Sequence, residues 1–231
     1  MIINGLQKLT LLDFPGRTAC TVFFGGCNFR CPFCHNASLV LDSVSLPRIS
    51  QEEVFSFLEK RKGLLDGVAV TGGEPTLQRD LPDFLKRIKE LGFAVKLDTN
   101  GSDPAGLRRM IEQGLVDYAA MDIKSSPEGY AAAAGITAID LKPIFESTAL
   151  LLEGRIEYEF RTTAVKGLHT PEDFDAIGRM IEGAEKYFIQ CFKDSGDILA
   201  DGCGAPSRSE LDEMLAAVRK YVPSACLRGV D

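Results

Sequence analysis

The stretch from Thr18 to Asn36 reads TACTVFFGGCNFRCPFCHN. Its first seven residues form an apolar and β-branched run, which predicts a short buried strand. Three cysteines, Cys27, Cys31 and Cys34, follow this run closely. Continuous rather than alternating hydrophobicity is typical of strands in a parallel sheet that helices cover. The stretch therefore predicts a parallel α/β fold with a cysteine-bearing loop after its first strand.

Similar apolar runs recur along the chain and alternate with amphipathic segments. We expect six short strands, at residues 18–24, 67–71, 94–98, 118–123, 157–163 and 186–191. A strand followed by a helix, repeated six times, predicts a βα barrel or a doubly wound sheet. A closed barrel of eight units needs about 250 residues, whereas this chain has 231 and uses many of them for a loop at residues 25–49. We therefore expect an α/β fold built as a partial, open βα barrel of about six parallel strands.

The composition is that of an ordinary globular protein, with 45% hydrophobic and 26% charged residues. No Pro/Ser/Gly-rich linker marks a boundary, so we expect one domain over residues 1–231 with a short N-terminal extension at residues 1–16. The formal net charge of -7 argues against nucleic-acid binding, and no apolar run approaches the roughly 20 residues of a membrane span. Because the first residues lack the basic start and apolar core of a signal peptide, we expect a cytoplasmic protein with reduced thiols.

The spacing C-x-x-x-C-x-x-C of Cys27, Cys31 and Cys34 favours an iron-sulfur cluster over a zinc ion. A zinc site usually takes two paired Cys or Cys/His sets, and the chain has only two histidines, of which His35 is directly adjacent to Cys34. Three thiolates leave one iron of a four-iron cluster without a protein ligand. An open metal position of this kind can bind a substrate or a cofactor.

Glycine and polar residues follow the next two strands at their carboxyl ends, where the functional loops of βα folds lie. Residues 72–75 (GGEP) follow the second strand; the glycines allow close backbone approach, and the exposed peptide groups and Glu74 can meet an ammonium group. An ordinary strand-to-helix turn is the alternative. Residues 98–101 (DTNG) follow the third strand and suit a ribose or a polar purine edge, although Asx-Gly sequences are also common turns.

Two cations lie at the ends of later strands. Lys124 ends the fourth strand, where a buried cation needs a carboxylate partner from the protein or from a ligand. Arg161 lies late in the fifth strand and could instead pair with Glu157 or Glu159 across the sheet. The second histidine, His169, is expected to lie in a surface loop.

Taken in order, these motifs resemble the radical S-adenosylmethionine superfamily, and more narrowly the activases of glycyl radical enzymes. Four internal motifs carry the resemblance: the cysteine run with its following His-Asn, residues 72–75 (GGEP), residues 97–101 (LDTNG) and residues 121–124 (MDIK). Three outer segments resemble the branch of anaerobic ribonucleoside-triphosphate reductase activating proteins: residues 5–8 (GLQK), 12–16 (LDFPG) and 227–229 (LRG). The resemblance covers nearly the whole chain.

The resemblance implies a 4Fe-4S cluster and S-adenosyl-L-methionine as cofactors. Cys27, Cys31 and Cys34 would ligate three irons, and the amine and carboxylate of S-adenosylmethionine would chelate the fourth. Ten further residues would bind S-adenosylmethionine. Phe33 and His35 would lie near the adenine, His35 more by its backbone than by its ring, and Gly72, Gly73 and Glu74 would hold the amine. Asp98 or Asn100 would lie in the ribose region and Lys124 at the carboxylate, and Asp122 and Arg161 complete the set.

The implied reaction is reductive cleavage of S-adenosylmethionine to a 5'-deoxyadenosyl radical, which abstracts a glycine hydrogen to activate a glycyl radical enzyme. Anaerobic ribonucleotide reductase is the expected client, with reduced flavodoxin or ferredoxin as electron donor. Formate-lyase activase has a histidine near the adenosine, for which Gln190 or Lys193 is the expected substitute. Two alternatives stay open: a radical enzyme acting on a small molecule such as a purine-like precursor, and a non-catalytic electron-transfer protein. The latter predicts a fourth ligand, Cys20 or Cys191, whereas otherwise Cys20 is a small buried residue.

Overall fold

The computed structural model describes residues 1–194 and 196–230. Eight strands form one sheet in chain order: β1 (Ile3–Thr10), β2 (Ala19–Phe24), β3 (Gly67–Gly72), β4 (Ala94–Thr99), β5 (Tyr118–Asp122), β6 (Glu157–Ala164), β7 (Tyr187–Cys191) and β8 (Cys226–Arg228). The first pair, β1 with β2, is antiparallel, and every later pair is parallel. In the described part of the chain β1 and β8 do not pair, so the sheet is open. The prediction of a partial, open βα barrel is confirmed.

Helices connect the parallel strands: α1 (Ala37–Leu41), α2 (Gln51–Glu59), α3 (Leu81–Glu90), α4 (Pro104–Glu112), α5 (Tyr130–Ala134), α6 (Lys142–Leu152), α7 (Pro171–Met180) and α8 (Arg208–Val218), with a short 3-10 turn at Pro75–Leu77. Polar caps set several of their starts. Ser50, Thr170 and Ser207 each form a capping box with the residue three positions later. Among the described residues, no helix has both the length and the apolar character to cross a membrane.

The six predicted strands correspond to β2 through β7, and the structure adds one strand at each edge. Most residues of β1 are exposed or half-buried, so the apolar run that predicts an inner strand is missing there. With three residues, β8 is too short to produce a pattern. The sheet therefore has seven parallel strands, β2 to β8, and one antiparallel edge strand that lies in the predicted N-terminal extension.

The two faces of the inner strands differ in chemistry, because successive side chains point to opposite faces. On β4, Val95 and Leu97 are fully buried in the apolar core with the helices. Lys96 and Asp98 alternate with them and therefore point into the barrel. Lys96 is only 2% exposed, which is unusual for a lysine. The barrel interior is thus charged, and it positions the site described next.

Candidate active site

The carboxyl ends of the parallel strands surround a cavity of about 220 Å³. The three cysteines and the ten further residues that the resemblance implies all line it: Cys27, Cys31, Phe33, Cys34, His35, Gly72, Gly73, Glu74, Asp98, Asn100, Asp122, Lys124 and Arg161. The cavity also takes in Thr99 of the predicted 98–101 motif, and residues that were given no role from the sequence, among them Phe29, Asn36, Thr71 and Thr163. Several of these residues are adjacent in sequence to predicted site residues. That adjacency is the feature of the sequence from which they could have been predicted. The fold therefore brings these cysteines and the ten further residues to one place.

The cysteine loop between β2 and α1 presents its three thiols to this cavity. A turn shapes its second half, because the Cys34 N–H donates to the Cys31 carbonyl at 3.0 Å. Burial raises the pKa of all three thiols, that of Cys27 to about 11. Metal binds the thiolate form, so loading of this loop must release protons.

Small residues of α5 hold the cysteine loop from behind. The Arg30 N–H donates to the Ala134 carbonyl at 2.8 Å. Gly135 ends the helix with a φ of +65°, and a Cβ at this position would lie 1.8 Å from the Arg30 carbonyl oxygen. Ala133 and Ala134 are fully buried. The alanine run thus supplies the surface against which the loop packs.

On the other side of the cysteine loop, two glycines allow the loop after β3 to touch it. Gly72 has a φ of +120°, and a Cβ there would lie 2.3 Å from the Phe24 carbonyl oxygen. A Cβ on Gly73 would lie 2.0 Å from the Gly26 carbonyl oxygen. The Gly73 N–H donates to Phe24 and the Glu74 N–H to Gly26, each at 2.8 Å. The glycines therefore allow the backbone of the loop after β3 to contact the backbone of the cysteine loop. The sequence suggests a different role for them, the close approach of a ligand.

The buried carboxylate of Glu74 is bound by the protein. It accepts hydrogen bonds from the Thr76 N–H at 3.1 Å and the Thr76 hydroxyl at 2.7 Å. From the loop after β4 it accepts the Thr99 hydroxyl at 2.8 Å and the Asn100 N–H at 2.7 Å. Burial raises the pKa of Glu74, and these hydrogen bonds act in the opposite direction. Glu74 therefore joins two loops of the site. Its carboxylate would have to accept a hydrogen bond from an amine in addition to these four.

Arg161 of β6 bridges two carboxylates of neighbouring strands inside the barrel. Its Nε donates to Asp122 Oδ1 at 2.9 Å, and its Nη1 donates to Asp98 Oδ2 at 3.3 Å. Burial alone would raise the pKa of both carboxyls. The effect of burial is outweighed by nearby cations, which are Arg161 and Lys96 for Asp98, and Arg161 and Lys124 for Asp122. The pKa of Asp98 is thus below its usual range, and that of Asp122 is lowered to about 2.

Lys124 follows β5 and pairs with Asp122 at 3.1 Å, so the protein itself supplies a carboxylate partner for this cation. Among the described residues, only one of the three donors on its Nζ is engaged. Burial would lower the pKa of Lys124, but Asp122 and Cys31 outweigh burial and raise it. Lys124 is therefore a permanent cation at the cavity wall with donors available for a ligand.

The charged network continues to the last strand. The Arg228 guanidinium binds Glu159 through two bonds of 3.0 Å. Arg161 also approaches Glu159, at 4.0 Å, so the alternative pairing expected from the sequence exists but is longer than its bonds to the two aspartates. The network contains four cations and three carboxylates: Lys96, Lys124, Arg161 and Arg228 against Asp98, Asp122 and Glu159. Four against three leaves one positive charge in excess, which an anionic ligand would neutralise.

On the aromatic side of the cavity, the ring of His35 is already engaged. Its Nε2 donates to the Lys193 carbonyl at 2.6 Å, and the ring stacks on Phe192 with centroids 5.5 Å apart. This arrangement agrees with a role for the backbone of His35 rather than its ring. Of the two residues expected to replace the adenosine-side histidine, Gln190 lines the cavity, whereas Lys193 is not among its lining residues.

The prediction that His169 lies in a surface loop is wrong. The residue is 4% exposed, its Nδ1 accepts from the Val165 N–H at 3.1 Å, and its Nε2 donates to the Lys124 carbonyl at 2.8 Å. The ring packs between Phe33 of the cysteine loop and Phe174 of α7, 6.1 Å from each centroid. Burial lowers the pKa of His169. Its partners are backbone groups, for which the sequence contains no signal.

The remaining cysteines do not complete a ligand set in the described part of the chain. Cys20 is fully buried in β2, as predicted, and the Cys191 thiol donates to the Phe192 carbonyl at 3.6 Å. Neither of them lines the cavity. Within residues 1–194 and 196–230, no three His, Cys, Asp or Glu side chains are grouped tightly enough to hold a single metal ion. The three thiols of the loop thus do not form a compact zinc site, whereas a four-iron cluster holds its ligands further apart.

Comparisons with known sequences agree with this geometry. The model of a family described as the radical SAM superfamily matches residues 21–181. A protein of Methanocaldococcus jannaschii named as a glycyl-radical enzyme activating enzyme is 30% identical over 236 residues, which cover 100% of this chain and 97% of that protein. The pyruvate formate-lyase-activating enzyme of Clostridium pasteurianum is 33% identical over 135 residues, 55% of each chain.

Solved structures show the same fold at low sequence identity. Streptococcus suis SuiB bound to S-adenosylmethionine has a TM-score of 0.68 at 12% identity, and the match covers 90% of this chain and 52% of SuiB. TYW1 with a lysine-pyruvate adduct has a TM-score of 0.60 at 14% identity, with 88% of this chain and 74% of TYW1 covered. This chain therefore corresponds to about half of SuiB, and the likeness concerns the barrel.

Gly135→Ala should destabilise the protein more than Gly154→Ala. Both glycines have positive φ, +65° and +67°, so either alanine carries the cost of a left-handed residue, about 1–2 kcal/mol. Only at Gly135 does the new Cβ meet backbone, because nothing lies within 4 Å at Gly154. Urea unfolding should show the greater loss of unfolding free energy for Gly135→Ala. Equal losses would contradict the close packing of α5 on the cysteine loop.

Acid should weaken the contribution of His169 to stability. Because the pKa of His169 is lowered in the folded protein, the unfolded chain binds a proton there below about pH 6.5 while the folded chain does not. The contribution is therefore full above this pH and falls below it, by at most about 1.4 kcal/mol per pH unit. The difference in unfolding free energy between the wild type and His169→Gln should be smaller at about pH 5.5 than at about pH 7.5. A constant difference would refute the assignment of a neutral, buried imidazole.

Proposed function

The chain belongs to the radical S-adenosylmethionine superfamily, and from this premise we propose that it activates a glycyl radical enzyme by removing a hydrogen atom from a glycine of that protein. The superfamily match accounts for its two cofactors, a 4Fe-4S cluster and S-adenosylmethionine. The observation that carries the narrower proposal is the similarity to a glycyl-radical enzyme activating enzyme over the full length of this chain. A likeness confined to the cofactor core would not distinguish one radical enzyme from another.

The donor set of the cavity fits a cluster with one open iron. Cys27, Cys31 and Cys34 would hold three irons, and the described part of the cavity wall offers no fourth thiol. The wall of the cavity continues beyond the cysteines to the ends of β3, β4 and β5. This arrangement supports binding of S-adenosylmethionine beside the cluster.

The wall beyond the cysteines suits an amino acid ligand. The peptide groups at Gly72 and Gly73 would meet the amine, since the Glu74 carboxylate is engaged by the protein. Lys124 would bind the carboxylate with its remaining donors, and the single excess positive charge of the network favours that anion. Asn100 and Asp98 would lie along the ribose, and Phe33 and the His35 backbone near the adenine.

When bound, the cluster and S-adenosylmethionine supply an electron and a 5'-deoxyadenosyl radical able to take hydrogen from an unactivated carbon. The protein supplies position and fixed charge. The pKa values of Asp98 and Asp122 are lowered and those of Lys124 and Arg161 are raised, so all four side chains stay charged across the neutral range. Acid-base catalysts instead have pKa values near the working pH. These charges therefore suit binding and orientation rather than proton transfer.

The client that we propose is an anaerobic ribonucleotide reductase, with reduced flavodoxin or ferredoxin as electron donor. Two of the three segments that resemble activators of that enzyme fall on the two edge strands, and the third, residues 12–16, lies in the connection between β1 and β2. Residues 5–8 lie in β1, and residues 227–228 lie in β8. These strands border the opening of the barrel, which is where a protein substrate would have to approach.

Reduced, reconstituted protein mixed with S-adenosylmethionine and a candidate glycyl radical enzyme should produce a glycyl radical signal in electron paramagnetic resonance. One 5'-deoxyadenosine should form per radical, and Cys31→Ala should give neither product because its cluster site is broken. The absence of a radical on every candidate client would overturn the activase proposal. Formation of 5'-deoxyadenosine with consumption of a small molecule and no protein partner would instead favour a small-molecule enzyme.

Lys124→Met should weaken S-adenosylmethionine binding while the iron content stays the same. A hydrogen bond to a charged group contributes about 1.5–3 kcal/mol, so the dissociation constant should rise roughly 10-fold to 100-fold. Isothermal titration calorimetry of the loaded protein measures this change. The matched control is Lys89→Met, which breaks a Lys–Asp pair with Asp117 outside the cavity and should leave the affinity unchanged. Unchanged affinity in Lys124→Met would reassign this lysine to structure.

A further inference from the structure

Lys96, in the middle of β4, is a lysine buried inside the barrel. Its side chain is 2% exposed, and lysine is almost never found so deeply buried unless its charge is paired. Its ammonium group donates to Asp98 Oδ1, and this is the only hydrogen bond that the group makes to a described residue. Asp98 lines the cavity, whereas Lys96 is not among the lining residues. The lysine therefore reaches the site through Asp98.

The strand places Lys96 on the side of Asp98 that faces away from the cavity. Residues two apart on a strand point to the same face, and their Cα atoms are about 6.6 Å apart along it. The lysine side chain spans this distance toward the carboxyl end of β4, where the cavity lies. Because the Asp98 side chain is 17% exposed, its carboxylate stands between the buried ammonium group and the cavity.

Arg161 is the second cation at Asp98, but two carboxylates share it. Its Nη1 lies 3.3 Å from Asp98 Oδ2, just beyond the usual range of about 2.7–3.2 Å. Its Nε donates to Asp122 Oδ1 at the shorter distance of 2.9 Å. Lys96 binds the other oxygen of Asp98 and pairs with no further carboxylate in the described part of the chain. Lys96 is therefore the cation dedicated to Asp98.

The Asp98 carboxylate keeps acceptor capacity for a ligand. A carboxylate has about four acceptor positions, two on each oxygen. Lys96 takes one of them on Oδ1 and Arg161 takes one on Oδ2, so the described contacts leave one on each oxygen. A ribose carries two neighbouring hydroxyls, and each is a hydrogen-bond donor. Both oxygens can meet this pair of hydroxyls only while the carboxylate is held in one orientation.

We propose that Lys96 is a positioning residue, whose ammonium group fixes the Asp98 carboxylate so that both oxygens accept hydrogen bonds from the ribose hydroxyls of S-adenosylmethionine. The inference rests on the proposed function, because it takes S-adenosylmethionine as the ligand and its ribose as the group at Asp98. Lys96 itself does not touch the ligand. Its burial removes water as a competitor for Asp98 Oδ1, so the ion pair keeps its geometry when a ligand enters.

A purely structural role for Lys96 is the competing explanation. The lysine would then only compensate the charge of a buried aspartate, as cations inside proteins commonly do. Its removal would change the stability of the protein or the charge of the whole cavity, with no preference for one part of the ligand. S-Methylmethionine separates the two explanations. It has the amine, the carboxylate and the sulfonium charge of S-adenosylmethionine but no ribose.

Lys96→Met tests the proposal, since it removes the ammonium group and keeps a side chain of similar length. Arg161 still pairs with Asp98, so the variant leaves no carboxylate of the network without a cation. Isothermal titration calorimetry of the cluster-loaded protein measures the dissociation constants of both ligands. The value for S-adenosylmethionine should rise about 3-fold to 10-fold, the effect of one ordinary hydrogen bond, and the value for S-methylmethionine should stay the same. An equal rise for both ligands, or no rise for either, would overturn the proposal.

Asp98→Asn supplies a second measurement through a double-mutant cycle. Because Lys96 acts through Asp98, the loss of S-adenosylmethionine affinity from Lys96→Met should largely disappear in the Asp98→Asn background. Equal losses in the two backgrounds would contradict this coupling. Asp98→Asn alone should also weaken binding of S-adenosylmethionine more than binding of S-methylmethionine. The lack of this difference would refute the proposal even where Lys96→Met does not fold.

Lys89→Met is the matched control, because its pair with Asp117 lies outside the cavity. It should leave both dissociation constants unchanged. A rise equal to that of Lys96→Met would assign the effect to the loss of any lysine–aspartate pair and overturn the proposal. These measurements need no client protein, so the absence of a glycyl radical would overturn the activase proposal alone. Failure of the loaded wild type to bind S-adenosylmethionine would overturn the proposed function itself, a result distinct from equal losses for the two ligands.

Discussion

The interior of the barrel depends on the pairing of buried charges around Arg161. Ions taken out of water must be compensated, and this guanidinium compensates Asp98 from β4 and Asp122 from β5 at once. Removing it would leave two carboxylates facing each other across neighbouring strands. The same network extends to Lys124 at the cavity and to Arg228 on the last strand. One network of ion pairs therefore connects the wall of the binding site with the last strand of the sheet.

Small residues impose a second constraint, because three loops must meet at the cysteines. Gly72 and Gly73 bring one loop into contact from the β3 side, and the alanines of α5 with Gly135 do so from the other. Glu74 then ties the β3 loop to the β4 loop through Thr99 and Asn100. Residues that the sequence associates with a ligand thus also contact one another and hold the loops of the site together. Binding and folding share these positions, so a substitution there tests both.

The sequence was sufficient to predict β2 to β7 and the gathering of the site residues, because apolar runs mark parallel strands whose carboxyl ends meet at one edge of the sheet. It was insufficient where the determining contact is made with backbone far along the chain. His169 is the clearest case, since its bonds go to main-chain groups of Val165 and Lys124. The edge strands β1 and β8 lack the apolar pattern of the inner strands. The charged inner face, in which Lys96 is buried, could not be predicted because its residues lie within runs that are apolar on average.

The packing of the cysteine loop between α5 and the glycines of the β3 loop bears on how a cluster would be installed. Zinc fingers fold only when their metal binds, because nothing else shapes their ligand loops. Here the polypeptide shapes the loop on both sides, through Arg30 with Ala134 and through Gly26 with Glu74. Neither of these backbone hydrogen bonds involves a cysteine thiol. The shape of the loop therefore has a source in the polypeptide itself, in addition to any bound cluster.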